Sequence, residues 1–211
     1  MRETVLEWLA ANVPSQRLQH VLRVEEMSVS LARHYGLCPL MAAQAGLMHD
    51  LAKFFKPQRL LEMALAEGLT LDLVDQTTPH LLHADVSAIV ARDRFGVEEE
   101  GVLSAIANHT LGRPGMDALS CIVYLADTLE PGRGNTATLN ALREMSFTNL
   151  TTAVYRTCDY TLTHLIEQQR PIHPRALATR NWFLQASRGA LQPPAGGARA
   201  PGLEGQPIHL A

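Results

Sequence analysis

The sequence predicts an all-α fold, on three observations. Apolar residues recur at three- and four-residue steps along nearly the whole chain, and no stretch alternates apolar and polar residues as a strand would. Prolines and glycines fall where helices would start and stop. Between Pro14-Ser15 and Gly36 the stripe is Leu18, Val21, Leu22, Val24, Met27 and Leu31, with Ser15 the expected N-cap and Gly36 the expected stop. Another helix is expected from about Pro39 to Phe55, and Pro57 opens a shorter one. Gly68 to Thr78 is turn-rich, after which Pro79 starts a helix through Val86 and Val90 that ends near Gly96. Glu98 to Asn108 follows, its last residue leading straight into His109. Met116, Leu119, Ile122, Val123 and Ala126 mark a further helix, which delivers Asp127 ahead of Pro131-Gly132. Leu150, Val154, Cys158, Thr161 and Leu165 give the most regular stripe, and a last short helix follows Pro174 through Leu184. From Gly189 the chain is rich in Gly, Pro and Ala with no apolar period, too little to offset its ordering entropy. The expectation is one helical domain over residues 1–188 and a flexible tail over 189–211.

The bulk numbers exclude several roles. At 211 residues the chain is long enough for one sizeable core. A formal net charge of −3 gives no global basic field, so neither nucleic acid nor an anionic membrane is the expected partner. Cys38, Cys121 and Cys158 are far apart and odd in number, which fits neither a zinc spacing nor a disulfide framework and favours a reducing cytosol. Glu3 and Glu7 stand where a signal peptide would be apolar, and no apolar run approaches the roughly 18 residues of a membrane span. A cytoplasmic protein is expected. The sequence leaves its oligomeric state open, a homodimer included.

The ionisable residues on these helices form a pattern. His49-Asp50 closes an apolar run, a costly place for both groups unless they are paired or bound to something. His20 lies on an earlier helix, His80 and His83 share one face three residues apart, His109 falls at a helix end, and Asp127 at another. A carboxylate there opposes the helix dipole, which sets Asp127 apart from an ordinary cap. One histidine beside a core stripe is more often a hydrogen-bonded core residue than a ligand. The ordered set on separate helices is much harder to obtain by chance, and helix bundles build metal sites in this way. His34, His164, His173 and His209 have only their residue type to recommend them.

With these residues in place, the chain resembles the HD-domain superfamily of metal-dependent phosphohydrolases. More narrowly it resembles the YqeK family of symmetrical bis(5′-nucleosyl)-tetraphosphatases. The matching stretches are Gly46 to Lys53, Leu82-His83, Ala105 to Gly112, Tyr124 to Arg133 and Ile172 to Asn181. Leu111 stands where the family usually carries a second threonine. The resemblance implies an HD-domain helical bundle that holds one metal ion with His20, His49, Asp50 and Asp127. A second would be held by Asp50, His83 and His109, with Asp50 shared. His80 is the competing ligand to His83. The expected cofactor is two divalent ions, iron foremost, with manganese, zinc, cobalt or nickel also suited to imidazole and carboxylate donors.

The resemblance also implies the reaction, central cleavage of a dinucleoside tetraphosphate by metal-activated water into two nucleoside diphosphates. Asp50 and Lys53 are the expected catalytic residues, Lys53 facing the same way as the pair if the helix continues through it. Lys53, Thr110, Gly112 and Arg133 are the expected substrate-binding residues, Gly112 by letting backbone approach phosphate and Arg133 by its fork. Arg133 could instead pair with Glu130, Arg17 could also reach the site, and Glu130 could support a ligating histidine. Two alternatives stand beside this reading: a phosphohydrolase for a deoxynucleotide or cyclic dinucleotide, and a non-catalytic nucleotide-binding module.

Overall fold

The computed structural model describes residues 1–191, and among them it contains eleven α-helices and no strand. They are α1 (Arg2–Asn12), α2 (Ser15–His34), α3 (Pro39–Met48), α4 (Pro57–Ala66), α5 (Leu73–Thr77) and α6 (His83–Phe95). Then come α7 (Glu100–Asn108), α8 (Ala118–Leu129), α9 (Ala137–Thr148), α10 (Leu150–Glu167) and α11 (Pro174–Ser187). The expected all-α fold is present. The expected tail lies, from residue 192 onward, outside the described residues. No described helix is long and apolar enough to cross a membrane.

α8 is the central rod, with Leu119 through Ala126 and Leu129 all buried. α2 lays its buried stripe of Val21, Val24 and Leu31 between α8 and α3, and α7 closes on α3, α6 and α8. α10 packs on the far side of α8 and carries α9 and α11. The α2–α3 approach depends on Gly46. A Cβ there would stand 2.9 Å from the Glu25 Cα and 3.0 Å from the Ser28 hydroxyl, so two backbones would have to separate. The Gly46→Ala variant is therefore expected to lose about 1–3 kcal/mol, read as a lower denaturant midpoint at unchanged slope.

Several boundaries differ from expectation for local reasons. Pro14, not Ser15, occupies the N-cap of α2, and its carbonyl accepts from the Arg17 and Leu18 amides without a side-chain cap. The helix expected from Pro39 to Phe55 stops at Met48 and continues as tight turns, Leu51 to Met48, Lys53 to Asp50 and Phe55 to Ala52. Side chains take over the bonds the helix gives up: His49 Nδ1 donates to the Gly46 carbonyl, and the Ala52 amide donates to the Ser87 hydroxyl. Pro79 opens a 3₁₀ turn over Pro79–Leu82, and the α-helix proper starts at His83. α1, α5 and α9 were not foreseen. α5 sits inside the stretch expected to be turns, held by a capping box between Asp72 and Asp75.

Candidate metal centre

Every histidine expected at the site sits at, or is held by, a break in the helical ladder. His49 follows α3, His109 follows α7 and His83 opens α6, so each ring can turn back onto the last turn before it. Nδ1 of His49 donates to the Gly46 carbonyl at 2.7 Å, that of His109 to Ile106 at 2.7 Å and that of His83 to His80 at 2.5 Å. His20, inside α2, instead donates from Nδ1 to the Glu130 carboxylate at 3.0 Å. A carbonyl or carboxylate can only accept, so Nδ1 carries a proton in all four rings, and in its neutral form each ring presents a lone pair at Nε2.

Those four Nε2 atoms converge on one carboxylate. His83 and His109 lie 3.3 and 3.7 Å from Asp50 Oδ1. His49 and His20 lie 3.4 and 4.0 Å from Oδ2 of the same group. Asp127, in the last turn of α8, adds Oδ1 at 3.0 Å from His20 Nε2 and 3.7 Å from His49 Nε2. Nε2 of His83 and His109 face each other at 3.1 Å, two lone pairs in contact. Nε2 of His20 and His49 are buried and lack hydrogen-bonding geometry to any partner, the short distance to Asp127 included. The groups thus form two clusters able to hold a cation, His20-His49-Asp50 and Asp50-His83-His109, joined through Asp50. Buried acceptors packed this closely repel one another unless a cation sits among them. The donor set fits divalent metal.

The electrostatics follow from this crowding. Burial pushes the His83 imidazole down, to about 4, with Lys53 and His109 adding to the shift, so it is neutral near pH 7. Burial works in the same direction on His49, but the carboxylates of Asp50 and Asp127 outweigh it and raise its pKa. Asp50, buried to 1% exposure, would be raised by burial, yet His49, His109 and His83 hold it well below the carboxylate range. Asp127 is likewise lowered against its burial, by His20, His49, His109 and Arg133.

The positions of the other expected residues vary. Lys53 reaches the centre although it does not lie on a continuing helix: the turns after Met48 swing its Nζ to 3.0 Å from His83 Nε2. Thr110 Oγ1 lies 3.2 Å from the same nitrogen. Gly112 is accounted for by packing, since its φ is +63° and a Cβ would collide with Thr179 of α11. Arg133 pairs with Asp127, through Nη2 to Oδ1 and Nε to the carbonyl, both 2.9 Å, while Glu130 is 4.0 Å away. Glu130, 1% exposed, supports His20 and also accepts from Arg23 and the Gly132 amide. Arg17 donates to Asp50 Oδ2 at 2.9 Å. His80 is exposed as a residue and only its carbonyl serves the centre; partial desolvation of its ring, Lys53 and Arg170 hold its pKa below the ordinary value.

Two features escaped sequence reasoning. Arg23, three residues after His20, was legible as its neighbour on one helix face. His173, set aside as unremarkable, is buried, caps α11 by accepting the Arg175 amide at Nδ1 and donates from Nε2 to Asp75 at 3.2 Å. α11 is further fixed by Arg175 on Asp85 and by Thr179, whose hydroxyl reaches the Leu111 carbonyl. The helix therefore clamps the loop that carries His109 and Thr110.

Comparison with known proteins agrees with this geometry. Residues 17–132, from Arg17 to the turn after Glu130, match the family model of the HD domain. The chain is 31% identical over 186 residues to a protein of Bacillus subtilis (strain 168) named bis(5'-nucleosyl)-tetraphosphatase, symmetrical, covering 88% of this chain and 99% of that one. It is 34% identical over 183 residues to the protein of the same name in Halalkalibacterium halodurans, covering 87% and 97%. A crystal structure from Clostridium acetobutylicum, described as a predicted HD superfamily hydrolase involved in NAD metabolism, superposes with a TM-score of 0.84. It is 32% identical, over 89% of this chain and 98% of that one.

Proposed function

We propose that this chain, which belongs to the HD domain family, hydrolyses dinucleoside tetraphosphates symmetrically into two nucleoside diphosphates. The observation that carries this reading is the shared Asp50 carboxylate, each oxygen of which faces its own pair of imidazole lone pairs. His20, His49, Asp50 and Asp127 would hold one divalent ion, and Asp50, His83 and His109 the other. Iron is the metal proposed first, with manganese, zinc, cobalt or nickel also suited to a nitrogen and oxygen donor set. Such ions supply positive charge to a phosphoryl group and activate water at neutral pH.

The chain's own residues do the rest. Each Nδ1 bond fixes its ring's tautomer and direction, so the donors are set before substrate arrives. Beside the His20 half, a cleft of about 270 Å³ is lined by Arg17, Arg23, Arg133, Gln16 and Phe54. Arg133 is held to Asp127 by two bonds but remains 38% exposed, which leaves N–H groups free to meet phosphate oxygens. Lys53 places an ammonium on the His83 side. Guanidinium groups on one side and an ammonium on the other suit a chain of phosphates rather than a single ester, because its charge is spread along its length.

The test is a comparison of kcat/KM on metal-loaded protein for diadenosine tetraphosphate, deoxynucleoside triphosphates and a cyclic dinucleotide. The tetraphosphate is expected to lead by at least tenfold. A cyclic dinucleotide or deoxynucleotide in first place would replace this substrate assignment.

Metal uptake should also release protons. His49 has a pKa raised above its ordinary value, so near pH 6.5 it carries a proton that a metal ion must displace, whereas His83, at about 4, has none to lose. Apparent metal affinity therefore rises as pH rises through this range. Calorimetric heats of metal binding at pH 6.5 are expected to depend on the buffer's ionisation enthalpy, and a buffer-independent heat would contradict the assignment of His49.

A further inference from the structure

α11 reaches the supports of the metal centre at two points, and both serve the same half of it. Arg175 donates from Nη1 and Nη2 to the two oxygens of Asp85, at 3.2 and 3.1 Å. Asp85 stands in the first turn of α6, two residues after His83. One turn further along α11 the Thr179 hydroxyl reaches the Leu111 carbonyl at 3.0 Å, two residues after His109. The same hydroxyl lies 2.8 Å from the Arg175 carbonyl, so both contacts belong to a single helical turn.

That turn is firmly held. The Arg175 fork meets Asp85 with two parallel bonds, the geometry that gives a guanidinium–carboxylate pair its direction. Thr179 is fully buried, and its methyl group fills the space that a Cβ on Gly112 would need. His173 ties the start of α11 to Asp75, and Arg180 bonds Asp159 of α10 at 2.7 Å.

His83 and His109 are aimed by their own backbones, each Nδ1 being bonded to a carbonyl three residues earlier. Their Nε2 atoms approach to 3.1 Å, a distance at which two acceptors push apart. What resists is the position of the chain just beyond each ring, and there Arg175 and Thr179 pin both segments to one helix. The other half of the centre has its own supports: Glu130 aims His20, and Arg133 holds Asp127. Neither of these bonds involves α11.

We infer that α11 is a strut that sets the spacing of His83 and His109. Arg175 and Thr179 are then positioning residues for the ion held by Asp50, His83 and His109, and not for the ion held by His20, His49, Asp50 and Asp127. Ligands already held at the spacing an ion needs lose less freedom when it arrives, so the strut raises the affinity of that one ion.

The inference rests on the two-ion reading but on no particular substrate, so metal binding alone tests it. Metal-free full chain is titrated calorimetrically with Mn²⁺, and wild type is expected to show two binding events. Arg175→Met and Thr179→Val, the latter nearly unchanged in shape, should each weaken the same event at least tenfold. The other event should shift less than twofold, its retention also reporting a folded chain. Glu130→Gln loosens His20 and should weaken that other event, so Arg175→Met combined with Glu130→Gln should weaken both. The inference is overturned if either α11 variant leaves both events unchanged or weakens them equally, whatever happens to Tm. It is also overturned if the combined variant keeps one event at wild-type affinity. Wild-type protein that takes up fewer than two ions contradicts the two-ion reading itself, and the strut falls with it.

Discussion

The Asp50→Asn variant is expected to lose hydrolysis of diadenosine tetraphosphate by on the order of 10³-fold or more. Asparagine has nearly the same shape, so the loss isolates charge and acceptor capacity. In the native site Oδ1 faces His83 and His109, and Oδ2 faces His49, His20 and the Arg17 guanidinium. An amide must turn its NH₂ toward one of these sides. Toward His83 and His109 it donates to lone pairs that should bind metal; toward Arg17 it sets donor against donor. Either way the group shared by both clusters is lost. Turnover measured with elemental analysis should show both activity and metal content falling, and wild-type values for the two would remove Asp50 from the centre.

Glu130→Gln carries the second-largest expected effect, a 10–100-fold loss of activity. Its carboxylate is buried, accepts from His20 Nδ1, Arg23 and the Gly132 amide, and is held below its ordinary pKa despite burial chiefly by Arg23 and His20. Glutamine brings an NH₂ that must face one of three donors. The His20 ring then loses the partner that fixes its tautomer, and stability should drop by about 1–3 kcal/mol. Activity is expected to recover in part with excess metal, since the defect lies in the support of a ligand. A loss that no metal concentration relieves would place Glu130 in another role.

The fold and the site were legible to different depths. Helix stripes such as Val21-Val24-Leu31 and Leu119-Ile122-Val123 could be read because their period follows directly from burial on one face. α9 could not, as its buried contribution is only Leu139, Leu142 and Ser146. The order His20, His49-Asp50, His83, His109, Asp127 was visible in the sequence because each lies beside such a stripe. What the sequence hid was how the rings are aimed. The helix breaks after Met48 and Asn108 arise when an imidazole captures a carbonyl three residues back, a side-chain choice that apolar periodicity does not record. Arg133 shows the same gap, since spacing offered Glu130 as partner while the turn after α8 delivered it to Asp127. Gly112 shows another: a glycine that suggests close approach of a ligand is required here by Thr179, a contact 67 residues away in sequence.

The most direct test of the account is the identity of the products. Metal-loaded protein incubated with diadenosine tetraphosphate and resolved by anion-exchange chromatography should yield ADP as the sole nucleotide, with chelation stopping its formation. Release of ATP and AMP in equal amounts, or intact substrate alongside full metal occupancy, would contradict it.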